Sequence, residues 1–383
     1  MQPTQVMDVT GGMGVMAVGL ELAAKSWKVG LQGGQRERPA LHTLRQPAAA
    51  DRLAALVALI EKTRQQWGLG AATGVEVIYE AGQDGFWIAR ALEARGYAVR
   101  VVDPASIPVA RHARRAKTDR LDVIRLVSSL LGWLRGERDR LHAIRVPAEE
   151  AEAQRHWVRE RGLLQKEIGQ HRDRLRKLLR TVGCWTEVKG DIAARLARGG
   201  LRCHDGRALP DELRERLLRE CERLTLAEAQ LKRVEQALAE GLAPASQQRV
   251  VCLTRLKGVG LVGARRLVLE LYWRDFDNRR QVGGCTGLVP QPYDSGESRV
   301  DQGISKQGNR RVRALLIELA WLWLRYQPDS ALSQWFARRC AGSGPNKRAR
   351  RIAIVAVARR LAIALWRYLA TGELPAGAVL KGA

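Results

Sequence analysis

The sequence predicts an α/β domain built on a central sheet at the front of the chain, a helical middle, and a mainly helical C-terminal part. Three observations carry this. Apolar runs with strand period alternate with runs of helical period up to about residue 145. From 146 to 243 the chain is dense in Arg, Glu, Leu, Gln and Ala. Beyond that point apolar helical runs are flanked by basic clusters. At 383 residues the chain is long for one compact core and fits two or three domains. The expected division is an N-terminal tail at 1–14, the α/β domain at 15–145, the helical region at 146–243 and the C-terminal domain at 244–383.

In the first domain, residues 16–22 are apolar apart from Glu21, and Trp27 to Leu31 follows after a short polar gap, which predicts a hairpin. Ala48 to Trp67 carries Leu53, Leu56, Val57, Leu59 and Ile60 at helical spacing. Gly74 to Glu80 reads as a strand, Asp84 to Arg95 as a helix and Tyr97 to Val102 as a strand. Pro104 and Pro108 break the chain, and a helix is expected from Asp119 to Arg135. In the middle region, Val158 to Leu179 and Leu213 to Val234 mark two amphipathic helices, separated by a glycine-rich piece. They read as a long antiparallel pair, a coiled coil between protomers, or a solvated spacer.

Lys and Arg number 65 against 40 Asp and Glu, a formal charge of +25. Such an excess points to a polyanion, with nucleic acid the default. The last 83 residues hold 15 basic and 4 acidic side chains. They cluster at Lys306, Arg310, Arg311 and Arg313, and at Lys347, Arg348, Arg350 and Arg351. A charge run is usually a solvated face, but this local imbalance favours phosphate contact. A hydrophobic share of 46% excludes wholesale disorder. No stretch is long and uncharged enough to span a bilayer, so no membrane partner is expected. The six cysteines are scattered without CxxC spacing, and no secretory signal is visible, so a reduced, cytoplasmic protein is expected.

Three motifs can carry chemistry. Glu21 lies inside an apolar strand, Glu80 ends another, and Asp119 and Asp122 share one face at a helix start. A carboxylate in a buried strand is costly unless paired with a cation or metal. Four such oxygen ligands suit Mg²⁺, and metal ions suit phosphodiester chemistry. The plainer reading is that Asp119 and Asp122 favour the helix dipole and Glu80 caps a strand end. Second, Lys257-Gly258-Val-Gly260 between helical runs, with Arg265 and Arg266 following, resembles a helix-hairpin-helix turn able to bring backbone amides to a phosphate. An ordinary tight turn is the alternative. Third, Ser295 precedes Gly296 in a polar loop between apolar elements, upstream of Gly303-Ile-Ser-Lys306-Gln-Gly-Asn-Arg310. A serine nucleophile needs exposure and a route for its proton; most polar-loop serines have no such role.

Together, Gly19-Leu-Glu21, Tyr79-Glu80-Ala-Gly, Arg115-Ala-Lys117-Thr-Asp119-Arg-Leu-Asp122, Leu256 to Gly260, Gly287-Leu-Val-Pro290, Ser295-Gly296 and Gly303 to Arg310 resemble the DEDD transposases of bacterial insertion sequences. The family is insertion-sequence family one hundred and ten, the bridge-RNA-guided recombinases, and the resemblance spans nearly the whole chain from Val15. It implies a RuvC-like first domain, an RNase H fold, whose Glu21, Glu80, Asp119 and Asp122 bind Mg²⁺. The family usually has aspartate where this chain has Glu21, one methylene longer. The C-terminal domain is implied to supply a catalytic serine, with Ser295 the best match and Ser298 and Ser305 next.

The resemblance further implies that Ser295 attacks a DNA phosphodiester with help from the acidic site, its own or a neighbouring protomer's. Donor and target DNA are paired by a structured noncoding RNA while the protein holds backbones. It implies dimers that join into a tetramer. Nucleic-acid contacts are expected from Arg114, Arg115, Lys117, Lys257, Gly258, Gly260, Arg265, Lys306, Arg310, Arg311, Lys347, Arg348, Arg350 and Arg351. Two other readings stand beside this: a hydrolytic nuclease or junction resolvase using the acids alone, and a decayed, non-catalytic RNA/DNA-binding protein.

Overall fold

The computed structural model describes residues 14–33, 36–70, 73–82, 85–107, 118–295, 298–341 and 347–382. The chain falls into two compact units, Met1–Pro147 and Ala148–Ala383.

In the first unit, β1 (Val15–Leu22), β2 (Trp27–Gln32) and β3 (Ala40–Leu44) form an antiparallel run. Helix α1 (Ala49–Gln66) leads to β4 (Gly74–Glu80), and α2 (Trp87–Glu93) leads to β5 (Ala98–Val102). β4 pairs parallel to β1, and β5 parallel to β4, so the sheet order is β3-β2-β1-β4-β5. The hairpin, both parallel strands and both helices lie where the apolar periods put them. β3 is an addition to the expected elements, because Ala-Leu-His-Thr-Leu shows no clean alternation.

Strand alternation sorts the side chains into two faces. Met16, Val18 and Leu20 of β1 join Val75, Val77 and Tyr79 of β4 in one cluster with Leu53, Leu56 and Ile60 of α1 and Ile88 and Leu92 of α2. Ala17 and Ile78, on the opposite face, join Leu126, Val127 and Leu130 of α3 (Asp119–Leu134). The approach of α3 is close. A Cβ on Gly19 would meet Val127 Cγ2 at 2.7 Å, and one on Gly30 would meet Val123 Cγ1 at 2.5 Å. Glycine at these two paired positions therefore sets the depth at which α3 sits on the sheet.

The second unit begins with α4 (Glu149–Arg180) and α6 (Asp211–Glu240), joined through the short α5 (Ile192–Ala197). Arg161 pairs with Glu235, Arg172 with Glu228 and Arg174 with Glu220, so the two helices run antiparallel. They close as a hairpin within one chain. At 32 and 30 residues each is about 45 Å long. Leu175, Leu179, Leu196 and Leu217 build a core at the end where α5 folds across.

The rest of this unit packs α7 (Pro244–Thr254), α8 (Leu261–Glu270), α9 (Arg279–Cys285), α10 (Arg310–Tyr326), α11 (Ala331–Ala341) and α12 (Lys347–Thr371) around one apolar core. On α12, Ala353, Ile354, Val357, Ala358, Leu361, Ala362 and Leu365 recur at helical spacing and are buried. Between α9 and α10 the chain forms a hairpin of β6 (Pro290–Ser295) and β7 (Ser298–Ile304) rather than the polar loop expected there. Two prolines in β6 mask the strand signal; an isolated two-stranded ribbon tolerates them because both of its strands are edges. Among the described residues, no helix is long and apolar enough to cross a membrane.

Candidate active site

The acids of the first unit gather by topology. The chain runs β1, β2, β3 to one side and then returns to add β4 and β5 on the other side of β1. The order therefore reverses between β1 and β4, and in open α/β sheets ligands bind at such a switch point, outside the carboxyl ends of the strands. Glu21 is the penultimate residue of β1 and Glu80 the last of β4; the ladder pairs Leu20 with Tyr79, one step before them. By alternation both point to the α3 face.

Asp119 and Asp122 stand in the first turn of α3, which Thr118 opens by accepting a hydrogen bond from the Leu121 N–H. Val123, directly after Asp122, has its carbonyl 3.2 Å from where a Gly19 Cβ would lie, and Gly19 precedes Glu21 by one alternation. The backbone thus brings Glu21, Glu80 and the start of α3 to one edge. The side chains are not drawn into a closed cage. Among the described residues no three His, Cys, Asp or Glu form a group able to hold a metal ion. Asp119 is exposed, and Asp122 accepts from Arg125 Nη1 at 3.3 Å. An all-carboxylate donor set nonetheless has the chemistry of a hard dication site, and Asp122 would exchange Arg125 for the ion.

Two neighbours of this edge escape a reading of the sequence alone. Lys28 lies opposite Glu21 in the β1–β2 ladder and on the same face, and its Nζ donates to Thr43 Oγ1 at 2.9 Å. It places a cation beside a carboxylate at the end of a buried strand. Asp103 follows β5 directly, and its N–H donates to His142 O. It adds a carboxylate at the end of the strand beside Glu80. The alternation of apolar and polar residues in Trp-Lys-Val-Gly could have marked Lys28; nothing local marks Asp103.

In the second unit, Ser295 is the last residue of β6 and pairs with Ser298 at the tip of the hairpin. Gly296 lies outside the described residues. The base of the hairpin is locked by two loops that cross. Gly287 (φ +66°) and Gly308 (φ +76°) are left-handed, and a Cβ on either would collide with backbone, at Gln307 O and Cys285 O respectively. Ser305 N donates to Val289 O and Lys306 N to Gly287 O. These contacts explain Gly287 of the Gly287-Leu-Val-Pro string and Gly308 of the Gly303 to Arg310 string. Lys306 itself is the one non-glycine residue with positive φ (+56°) among the described residues, and it is exposed.

Asn309, next to last in that string, caps α10, its Oδ1 accepting from the Arg311 and Val312 N–H groups. Its Nδ2 donates to Glu270 Oε2 at 2.7 Å. Glu270 is only 3% exposed and receives Arg159 Nε at 2.9 Å and Nη2 at 3.2 Å. Burial pushes the Glu270 carboxyl upward. The Arg159 hydrogen bonds and charge, with Asn309 and Arg311, more than offset this and hold it below the usual carboxylate range. The same hydrogen bonds raise the Arg159 guanidinium. Glu270 and Arg159 are not among the expected site residues; an acid ending the apolar run Leu267-Val-Leu-Glu is the signal that was available.

Of the expected nucleic-acid contacts, Arg114, Arg115 and Lys117 lie outside the described residues. The Lys257–Gly260 turn joins α7 to α8, but part of it is occupied by the chain itself. Lys257 N donates to Val379 O, and the buried Gln327 side chain donates to Lys257 O at 3.0 Å. Gly258 packs near Leu322 O, whereas Gly260, at the start of α8, has open space beside it. Arg265 is half-buried, with its Nε sealed from solvent and without a hydrogen-bond partner. Arg310 and Arg311 are exposed at the start of α10, and Lys347, Arg348, Arg350 and Arg351 stand, all exposed, in the first turns of α12. Cations at a helix N-terminus oppose the helix dipole, so this placement favours an anion rather than the helix.

Comparison with known proteins decides the family. A model described as transposase, of the DEDD type of IS110, matches residues 37–183, and one described as transposase of the IS116/IS110/IS902 family matches 251–334. The y4rJ protein of Sinorhizobium fredii, which bears a transposase name, is 41% identical over 96% of this chain and 95% of its own length. The chain belongs to the IS110 family of transposases. Partial matches agree: the transposase for IS1328 of Yersinia enterocolitica is 28% identical over 38% of this chain and 42% of its own. The transposase for IS1111A of Coxiella burnetii is 35% identical over 26% of each. As a transposase the chain is an enzyme that transfers DNA strands, and its family type implies use of a divalent metal.

Proposed function

We propose that this transposase exchanges strands between donor and target DNA through a covalent phosphoserine link formed by Ser295, with the acidic edge of the first unit assisting. The observation that carries the reading is the placement of Glu21 and Glu80 at the carboxyl ends of β1 and β4, with Asp119 and Asp122 in the first turn of the helix packed on that face. A mixed sheet with acids at its switch point supports the RuvC-like, RNase H-type reading of the first unit. Glu21, Glu80, Asp119 and Asp122 would hold Mg²⁺, which when bound supplies positive charge to the oxygens around phosphorus.

The chain's own groups do the rest. The hydroxyl of Ser295, a residue at the hairpin tip, forms a bond to phosphorus as the bond to the leaving deoxyribose oxygen breaks. The serine proton passes to a base, and the leaving oxygen takes up a proton. The bond energy stays in the phosphoserine ester, and attack on it by a deoxyribose hydroxyl of the other DNA restores the free serine. The basic residues at the starts of α10 and α12 hold phosphates without reading bases. Specificity is therefore assigned to pairing with a structured RNA of the element itself, the bridge RNA, and the working form to dimers joined as a tetramer.

The test is to incubate the full chain with its RNA, Mg²⁺ and a supercoiled donor, denature, and map the protein residue linked to DNA. An adduct at Ser295, absent in Ser295→Ala, is expected. Full strand exchange by Ser295→Ala would remove the serine from the mechanism. Cleavage without any adduct would leave a hydrolytic nuclease.

A further inference from the structure

We infer that a cleft between α4, α8 and α10 in the second unit is a binding site for a phosphate group of a nucleic-acid strand, gripped by Arg266 and Arg311. The inference deepens the transposase reading and rests on it for the class of ligand. The cleft has a volume of about 220 Å³, room for several waters at about 30 Å³ each. Arg159, Arg266, Glu270 and Arg311 line it over an apolar floor that includes Val158 and Leu315.

The charges decide what it takes. Three guanidiniums face one carboxylate. Both Glu270 oxygens are already occupied, Oε1 by Arg159 and Oε2 by Arg159 and Asn309. Glu270 therefore neutralises Arg159; Arg311 feels its charge without a hydrogen bond to it, and of three positive charges at the cleft one is balanced. Arg266 is half-buried and Arg311 exposed, and neither guanidinium has a hydrogen-bond or ion-pair partner among the described residues. Two unpaired planar forks at one cleft match the paired oxygens of a phosphodiester, which accepts bidentate donors and carries the opposite charge.

A second cavity, of about 270 Å³, shares Val158 and Arg266 with the first and is lined by Arg265, whose Nε is sealed without a partner. The guanidinium face of α8 thus continues past the cleft. Leu163 and Leu261, 56% and 49% exposed, flank it with apolar surface on which a sugar can rest. The same geometry fixes the cleft firmly: Arg159 and Asn309 meet on Glu270, and Asn309 caps the helix that carries Arg311. A carboxylate-bearing protein partner is the competing occupant, and the test separates the two.

The experiment measures binding of the full-length transposase to a short single-stranded DNA of mixed sequence, and to RNA of the same sequence, as a function of salt. Arg266→Gln combined with Arg311→Gln is expected to weaken binding about tenfold and to make the slope of log K against log salt shallower by about 0.7, the share of one phosphate on a single strand. Arg266→Lys with Arg311 intact should keep the slope, because the charge remains. Arg216→Gln, an exposed arginine on α6, should leave both affinity and slope near their original values. If the double variant does not fold, Arg311→Gln alone is read, since its side chain is exposed. Unchanged affinity and slope in the double variant would overturn the site and leave the protein partner as its occupant; an equal loss in Arg216→Gln would overturn it as mere loss of charge. The readout does not depend on cleavage. Loss of binding together with absence of a phosphoserine adduct keeps this cleft and removes the covalent mechanism; an adduct with unchanged binding does the reverse.

Discussion

The first unit holds its candidate groups on the ends of regular strands and in one helix turn, whereas the second holds its serine hairpin by crossed loops and a buried ion network. On the acidic edge, position follows from the sheet: pairing fixes Glu21 beside Glu80, and Gly19 and Gly30 let α3 settle until Asp122 is one residue from the point of closest approach. At the hairpin, position depends on Gly287 and Gly308, each facing another backbone, and on Glu270 joining Arg159 to the cap of α10. The difference implies that substitutions at the first site should change chemistry with little effect on folding, while those around the second should change folding first.

The largest expected effect tests the first half of that contrast. Asp122→Asn keeps shape and removes charge. Divalent-metal-dependent DNA cleavage should fall by roughly a thousandfold, the scale of a lost carboxylate ligand in charge stabilisation. Stability should change by less than about 1 kcal/mol, the value of an acid in a helix's first turn. Rates and a thermal melt on the same sample read both quantities. A large drop in melting temperature would make Asp122 a structural residue and erase the contrast. Asp119→Asn, at an exposed position, should lose activity similarly with an even smaller change in the melt.

Next comes a direct comparison of two glycines. Gly287→Ala must bear a left-handed backbone and displace Gln307 O, and should cost more than about 3 kcal/mol. Gly19→Ala meets mainly the Val127 methyl at 2.7 Å in an ordinary strand conformation, and should cost about 1–3 kcal/mol. Urea unfolding ranks them. The reverse order would mean that α3, not the hairpin base, is the more tightly fitted of the two.

How much of this was legible in the sequence follows from the same contrast. The strands at 15–22, 27–32, 74–80 and 98–102 and the helix from Asp119 carry their own period, so their acids can be assigned to one face from the residue order alone. The middle helices were legible too, since Leu175, Leu179, Leu217 and Leu224 mark their buried sides. β3 and the β6–β7 hairpin were not. Their signals are short, and in β6 two prolines argue against a strand that only its place at a ribbon's edge permits. Glu270 could be read as an acid in an apolar run, but its partners lie 111 and 39 positions away along the chain. No local pattern encodes such pairing. Likewise Gly287 and Gly308 are visible, but the crossing that requires them is not.

A smaller effect sharpens the second half. Glu270→Gln keeps the planar shape and loses the charge. Because the Arg159 side chain is 36% exposed, the pair is discounted for solvent, and a loss of about 1–2 kcal/mol is expected at neutral pH. The sign with pH is fixed. The folded carboxyl titrates below the ordinary value of 4.5, so its contribution is complete above that value and disappears as pH falls through the lower, folded one. The gap between the two proteins' urea midpoints should therefore be constant near neutrality and close in acid. A gap that persists in acid would show that Asn309 and packing, rather than charge, hold the hairpin base.

The smallest expected effect has opposite signs in folding and binding. Lys347, Arg350 and Arg351 stand in the first turns of α12, where the helix dipole repels them. Replacing all three with Gln should stabilise the transposase by a few tenths of a kcal/mol per residue at low salt, from relief of the dipole alone. The same change should weaken binding to duplex DNA and reduce its salt slope by about 0.9 for each phosphate no longer neutralised. If the variant gains stability and keeps its slope, these residues are a solvated face. If the slope becomes shallower, the unfavourable charge at this helix end is retained for the backbone it holds, and the second unit, unlike the first, gives up some stability at the place where it meets nucleic acid.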